Sequence, residues 1–229
     1  MHNLLREGLY KTDQKGLVIQ LNSDCLLVKC YLGLFIRTLA FILTTIHERT
    51  MSKKNSVFIA TSLDGYIADR NGGIDWLHSI PNPENDDMGY VEFTNGIDAL
   101  VMGRTTFEAV LGFDIDWPYN KPVFVLSNKL NQIPESHKDK AFLVKGTLVE
   151  ILEQIHGKGY ERLYIDGGIT IRNFLEADLI DEMVLTTIPI LLGSGSSLFA
   201  ELPNEQRFEL IGTKTYLNQI TQSHYKRER

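Results

Sequence analysis

From Ser56 to Ser62 the chain runs Ser-Val-Phe-Ile-Ala-Thr-Ser, a short, apolar, β-branched stretch that fits a strand buried on both faces. Ala99-Leu100-Val101-Met102, Val123-Phe124-Val125-Leu126, Ala141 to Val144 and Leu163-Tyr164-Ile165 repeat the pattern. Between them the apolar spacing changes to that of helices. Met88, Val91 and Phe93 mark one over Asp86 to Thr94; Phe107, Val110 and Leu111 mark a second; Leu148, Ile151, Leu152 and Ile155 a third; Ile171, Phe174 and Leu175 a fourth. Glycines punctuate the helix ends at Asn95-Gly96 and Gly157-Lys158-Gly159. After Ala177 the pattern becomes that of strands in an antiparallel section, over Met183 to Ile188, Phe208 to Leu217 and Ile220 to Lys226. Repeated strand-helix-strand units with this ending predict a three-layer α/β fold, a mixed, mostly parallel sheet with helices on both faces.

The first fifty residues do not share this rhythm. Leu26 to Ile46 is apolar, but Lys29 and Arg37 divide it, so no uncharged run approaches the roughly 18 to 20 residues that span a bilayer. Its position is also wrong for a signal peptide, whose charged start and short apolar core lead the chain. Met51-Ser52-Lys53-Lys54 reads as an ordinary start just before a strand. The expectation is that residues 1–50 form an N-terminal extension, disordered or absent from the native product, and that residues 51–229 are the working domain. With 43% apolar and 23% charged residues the chain has a globular composition. Its net charge of -6 argues against a sequence-independent grip on nucleic acid, which needs clustered Lys and Arg. Two cysteines, Cys25 and Cys30, are too few for a disulfide framework and lack zinc spacing. The expected location is the cytoplasm, with no membrane or nucleic-acid partner and no metal.

Open α/β sheets bind ligands beyond the carboxyl ends of their strands. Three such turns carry polar or glycine-rich sequence. Gly103 allows close backbone approach, and Arg104-Thr105-Thr106 opens a helix whose free N–H groups and guanidinium favour phosphate. Gly167-Gly168, with Thr170 in the next turn, repeats the arrangement, and Leu126-Ser127-Asn128-Lys129 adds a hydroxyl, an amide and an ammonium. Each has an ordinary reading as a cap or turn. Together, on one sheet edge, they suit a dinucleotide phosphate chain.

Ser62-Leu63-Asp64-Gly65-Tyr66-Ile67-Ala68, Val101 to Phe107, Val125-Leu126-Ser127 and Asp166-Gly167-Gly168 follow the order found in the dihydrofolate reductase-like superfamily. Leu179-Ile180-Asp181-Glu182, Pro189 to Gly195 and Leu198-Phe199 resemble the carboxyl-terminal reductase domain of the bifunctional riboflavin enzyme. The likeness covers about Val57 to Tyr225 and implies a dihydrofolate reductase-like reductase using NADPH. It places Gly103, Arg104 and Thr105 on cofactor phosphates, and Leu126, Ser127 and Asn128 at the adenosine 2′-phosphate. It places Gly167, Gly168 and Thr170 over the pyrophosphate, and Ala60 and Ile67 against the nicotinamide. Asp64 and Asp87 become the catalytic candidates, Trp76 and Phe107 the substrate-binding ones. A buried carboxylate at Asp87 could bind an amino-pyrimidine edge and help protonate it, whereas the run Glu84 to Asp87 could equally cap a helix. Asp64 is open in the same way.

Lys121 stands where folate reductases keep an arginine, which cannot be replaced in a planar two-point grip and weakens the folate reading. Nothing resembles the zinc deaminase half of the bifunctional enzyme. Gly193-Ser194-Gly195-Ser196-Ser197 reads either as a phosphate cradle or as a loop between strands. The function implied is hydride transfer to a pyrimidine or pteridine-like heterocycle, most like 5-amino-6-(5-phosphoribosylamino)uracil reduction. Dihydrofolate reduction and a non-catalytic nucleotide-binding protein are the alternatives. The resemblance also implies a homodimer.

Overall fold

The computed structural model describes residues 10–12, 18–20, 53–113 and 115–229. They fall into two units, residues 1–52 and 53–229. In the first, Tyr10–Thr12 (β1) pairs antiparallel with Val18–Gln20 (β2). The apolar stretch from Leu26 to Ile46 lies outside the described residues.

The second unit is built on Lys54–Ser62 (β3), which enters beside two parallel neighbours, Arg162–Asp166 (β8) and Glu182–Ile188 (β9). Ala99–Gly103 (β5), Val123–Leu126 (β6) and Ala141–Val144 (β7) extend the parallel part beyond β8. Phe208–Tyr216 (β11) and Ile220–Arg227 (β12) close the other side antiparallel, giving the order β11-β12-β9-β3-β8-β5-β6-β7. The Leu217-Asn218 turn joins them, both residues at positive φ, which suits the strands' right-handed twist. Two short strands missed by the apolar pattern, Tyr66–Ala68 (β4) and Ser196–Ser197 (β10), pair with each other as a separate ribbon.

Helices cover both faces, as the spacing predicts. Tyr90–Asn95 (α1) and Arg104–Leu111 (α2) pack Tyr90, Phe93, Phe107 and Leu111 on one face against Leu100, Met102, Val123, Val125 and Tyr164. Leu148–His156 (α3) and Gly168–Glu176 (α4) bring Ile151, Ile155, Ile171, Phe174 and Leu175 to the other, over Val57, Val101, Phe124 and Ile165. A capping box starts α3, the Thr147 hydroxyl accepting from Glu150 N–H and the Glu150 carboxylate from Thr147 N–H. The first helix begins four residues later than its spacing predicts. Asn85 and Met88 hold positive φ, and Asp87 accepts from the N–H groups of Gly89 and Val91, so the acidic run forms turns and the helix starts at Tyr90. No helix among the described residues is long and apolar enough to cross a membrane.

Candidate active site

The β5–α2 and β8–α4 junctions meet at the carboxyl edge of the sheet, because β5 and β8 are direct parallel neighbours with Met102 opposite Asp166. Both helices start on a glycine with no side-chain cap, Gly103 for α2 and Gly167 for α4. The contact is reciprocal. A methyl group on Gly103 would stand 3.0 Å from Thr170 Oγ1 of α4, while one on Gly167 would collide with the Thr106 hydroxyl of α2. Gly167 also holds φ +87°, a conformation that glycine alone adopts without strain. Across the turn, a methyl on Gly168 would meet Ile67 Cδ1 at 2.5 Å, so β4 lies directly over the glycine pair. Two helix amino ends therefore converge with their first-turn N–H groups open, a setting for anionic groups. Arg104, half-buried at the head of α2, forms an ion pair with Glu108 at 2.5 Å. Thr105 beside it is exposed.

Asp166 ends β8 on the same face as Tyr164, two residues earlier. Asp166 is half-buried, and the loss of solvent around its carboxyl pushes it up to about 6, an effect that its one hydrogen-bond donor among the described residues, the Gly167 N–H at 2.8 Å, offsets only partly. A partly desolvated acid raised towards neutrality at a strand's carboxyl end is suited to hold and deliver a proton. The two carboxylates singled out in the sequence differ. Asp87 is exposed, and the N–H groups of Val91 and Gly89, at 2.8 and 2.9 Å, hold its carboxyl below the usual range. Asp64 is exposed too and accepts from the Ser62 hydroxyl at 2.6 Å and from the N–H groups of Gly193 and Leu192 at 2.7 and 3.1 Å, which also keep it ionised. Neither has the buried setting that a proton donor needs, and both tie loops instead.

Residues 54–222 match the RibD C-terminal domain family. This chain belongs to that family. It is 37% identical to the uncharacterized protein YwjB of Bacillus subtilis (strain 168), over 77% of this chain and 99% of that one. A crystal structure of a putative riboflavin biosynthesis protein from Shewanella sp. PV-4 is similar with a TM-score of 0.75 and 57% identity, again covering 77% of this chain and 99% of that one. A diaminohydroxyphosphoribosylaminopyrimidine deaminase/5-amino-6-(5-phosphoribosylamino)uracil reductase from Thermotoga maritima shares the fold with a TM-score of 0.61 and 15% identity, over 82% of this chain and 60% of that one.

In this RibD C-terminal domain the remaining sequence-marked residues divide between edge and core. Ala60 and Ile67 are half-buried at the edge, and Leu126 ends β6 there. The Ser127 hydroxyl accepts from Lys129 and Leu130 N–H, so it first shapes its own turn, leaving Asn128 exposed beside it. Phe107 is a correction: it is 1% exposed, packed among Leu100, Met102 and Val123, and offers a substrate no surface. Trp76 is likewise buried, between Ile188 and Ile220. The glycine-serine loop is a strand connection, not an open cradle. Asp64 occupies the amides of Leu192 and Gly193, and Gly195 is pressed against the Ala68 carbonyl so closely that no side chain would fit. Asp166 was visible in the sequence as the first residue of the Asp166-Gly167-Gly168 motif, with no role of its own. The burial that raises its carboxyl depends on what packs above it.

Proposed function

We propose that this RibD-type domain is an NADPH-dependent reductase that transfers hydride to a carbonyl or imine of a pyrimidine-like heterocycle, with Asp166 as the proton-holding group. The observation that carries the reading is the raised carboxyl of Asp166 beside the paired glycine caps at the sheet edge. The cradle fits a nicotinamide dinucleotide because two uncapped helix starts face one place where side chains would collide. The N–H groups after Gly103 and Gly167 would hold its phosphates, Arg104 and the Ser127-Asn128 turn its 2′-phosphate, and Ala60 and Ile67 would face the nicotinamide. Once bound, such a cofactor supplies the hydride.

The chain's own part is to align, to exclude water and to manage one proton. With its carboxyl near 6, Asp166 is largely protonated below that pH and can give its Oδ proton to the reducing centre. The test is NADPH oxidation against a panel of aminouracils and pteridines across pH. Turnover is expected to decline as pH rises through about 6, and Asp166→Asn to remove that decline along with most of the rate. A rate that ignores both the variant and pH would rule out Asp166, and no oxidation with any heterocycle would rule out the reductase.

A further inference from the structure

Above Asp166 lies an aromatic wall that neither the cofactor cradle nor the proton step uses. Tyr90 stands edge-on to Phe58 with ring centres 5.5 Å apart, and Tyr164 edge-on to Phe93 at 5.1 Å. In the loop between α2 and β6 Tyr119 packs on Trp117 at 5.2 Å, and Trp117 on Phe107 at 6.1 Å. The hydroxyl of Tyr164 is committed, donating to the Phe58 carbonyl at 2.8 Å. Those of Tyr90 and Tyr119 make no hydrogen bond among the described residues, and neither is a fully buried orphan, so both are half-exposed donors. Both are close enough to Asp166 to feel its charge, and burial pushes both phenols up, Tyr90 to about 12, so each remains a neutral donor at any working pH. Tyr90 stands edge-on to Tyr164 at 6.4 Å, and Tyr119 belongs to the same cluster, so the two phenols lie on the face of β8 that also carries Asp166.

We propose that Tyr90 and Tyr119 are specificity-determining residues that select an uncharged planar ring, binding its polar edge together with Asp166 and reading no appended phosphate. This deepens the reductase reading and rests on it. Aromatic walls favour a flat ring by stacking, and hydroxyls that a bound ring would cover reject a ring that leaves them unpaired. Along the β4–β10 ribbon, groups of a kind that could hold a phosphate make contacts within the fold. Asp64 takes the Leu192 and Gly193 amides, Ser196 and Ser197 pair with β4, and Arg172 donates to the Ser197 carbonyl.

The experiment is calorimetric titration of the full chain, with and without saturating NADPH, using 6-aminouracil as the phosphate-free ring and 5-amino-6-(5-phosphoribosylamino)uracil as its phosphorylated counterpart. The ring is expected to bind, and Tyr90→Phe and Tyr119→Phe each to weaken it by about three- to tenfold, the effect of one uncharged hydrogen bond. Tyr160→Phe, whose ring packs on Phe124 on the opposite face of the sheet, should leave ring affinity unchanged while showing that loss of a phenol hydroxyl is tolerated. The phosphorylated compound should bind no more tightly than the ring. Absence of ring binding, wild-type ring affinity in both variants, or a strong preference for the phosphorylated compound would each overturn the proposal. NADPH affinity, followed separately by nicotinamide fluorescence, tests the reductase reading by itself: its absence would remove the cofactor while the ring titrations still decide the tyrosines.

Discussion

Asp166 couples function to stability in a direction opposite to most carboxylates. Its folded value of about 6 lies above the ordinary value near 4, so the folded state holds the proton more tightly than the unfolded chain. Between these values stability falls as pH rises, and above about 6 the molecule carries a partly buried charge. Asp166→Asn should therefore be more stable than wild type at pH 7.5, by up to about 3 kcal/mol, with the difference fading towards pH 4. Urea melts at the two pH values check this, and an equal difference at both would mean that the carboxyl is not strained by burial. Arg104 carries a second expectation. If it reads the 2′-phosphate, Arg104→Ala should weaken NADPH more than NADH by on the order of 1.5 to 3 kcal/mol, after its exposed pairing with Glu108 is exchanged for the phosphate. Equal losses in fluorescence titrations with the two cofactors would contradict that role.

At the scale of elements, the site depends on two helices starting against each other. Gly167→Ala forces a methyl into Thr106 and a side chain into positive φ, so it should lower the melting temperature and abolish cofactor affinity together. Gly159 supplies the control, since it has the same φ of +87° but open space around its missing side chain. Gly159→Ala should cost only about 1 to 2 kcal/mol of backbone strain and leave cofactor affinity intact. Matching losses in both variants would show that the close approach of α2 and α4 is unimportant. The acidic run before α1 makes the complementary point. Its helical spacing predicts a start near Asp86, but Asp87 caps from outside, as short polar side chains do when they compete for backbone donors.

For the whole molecule, residues 53–229 form a unit with their own two-faced core, so a chain beginning at Met51 should keep the melting temperature and cofactor affinity of the full chain. Loss of either would show that residues 1–50 take part in the working fold. The sequence by itself determined the parallel strands, the helices on both faces and the glycine turns, because those follow from local periodicity and from residues whose backbone freedom is intrinsic. It also placed Gly103, Arg104 and Gly167-Gly168 at strand ends, where the edge of an open sheet collects ligands. What only the tertiary structure decided was the state of each polar group. Asp64, Asp87 and Asp166 are the same residue in the sequence, yet the Ser62 hydroxyl for Asp64 and backbone N–H groups for Asp87 keep two ionised at the surface, while packing partly desolvates the third and raises it. Phe107, sited in a motif beside Arg104, turns into the core because α2 lays that face on β5 and β6. β4 and β10, 128 residues apart across the Asp64 contact, pair only after the chain has folded between them. Burial and long-range contact are sums over residues distant in sequence, and no local pattern encodes them.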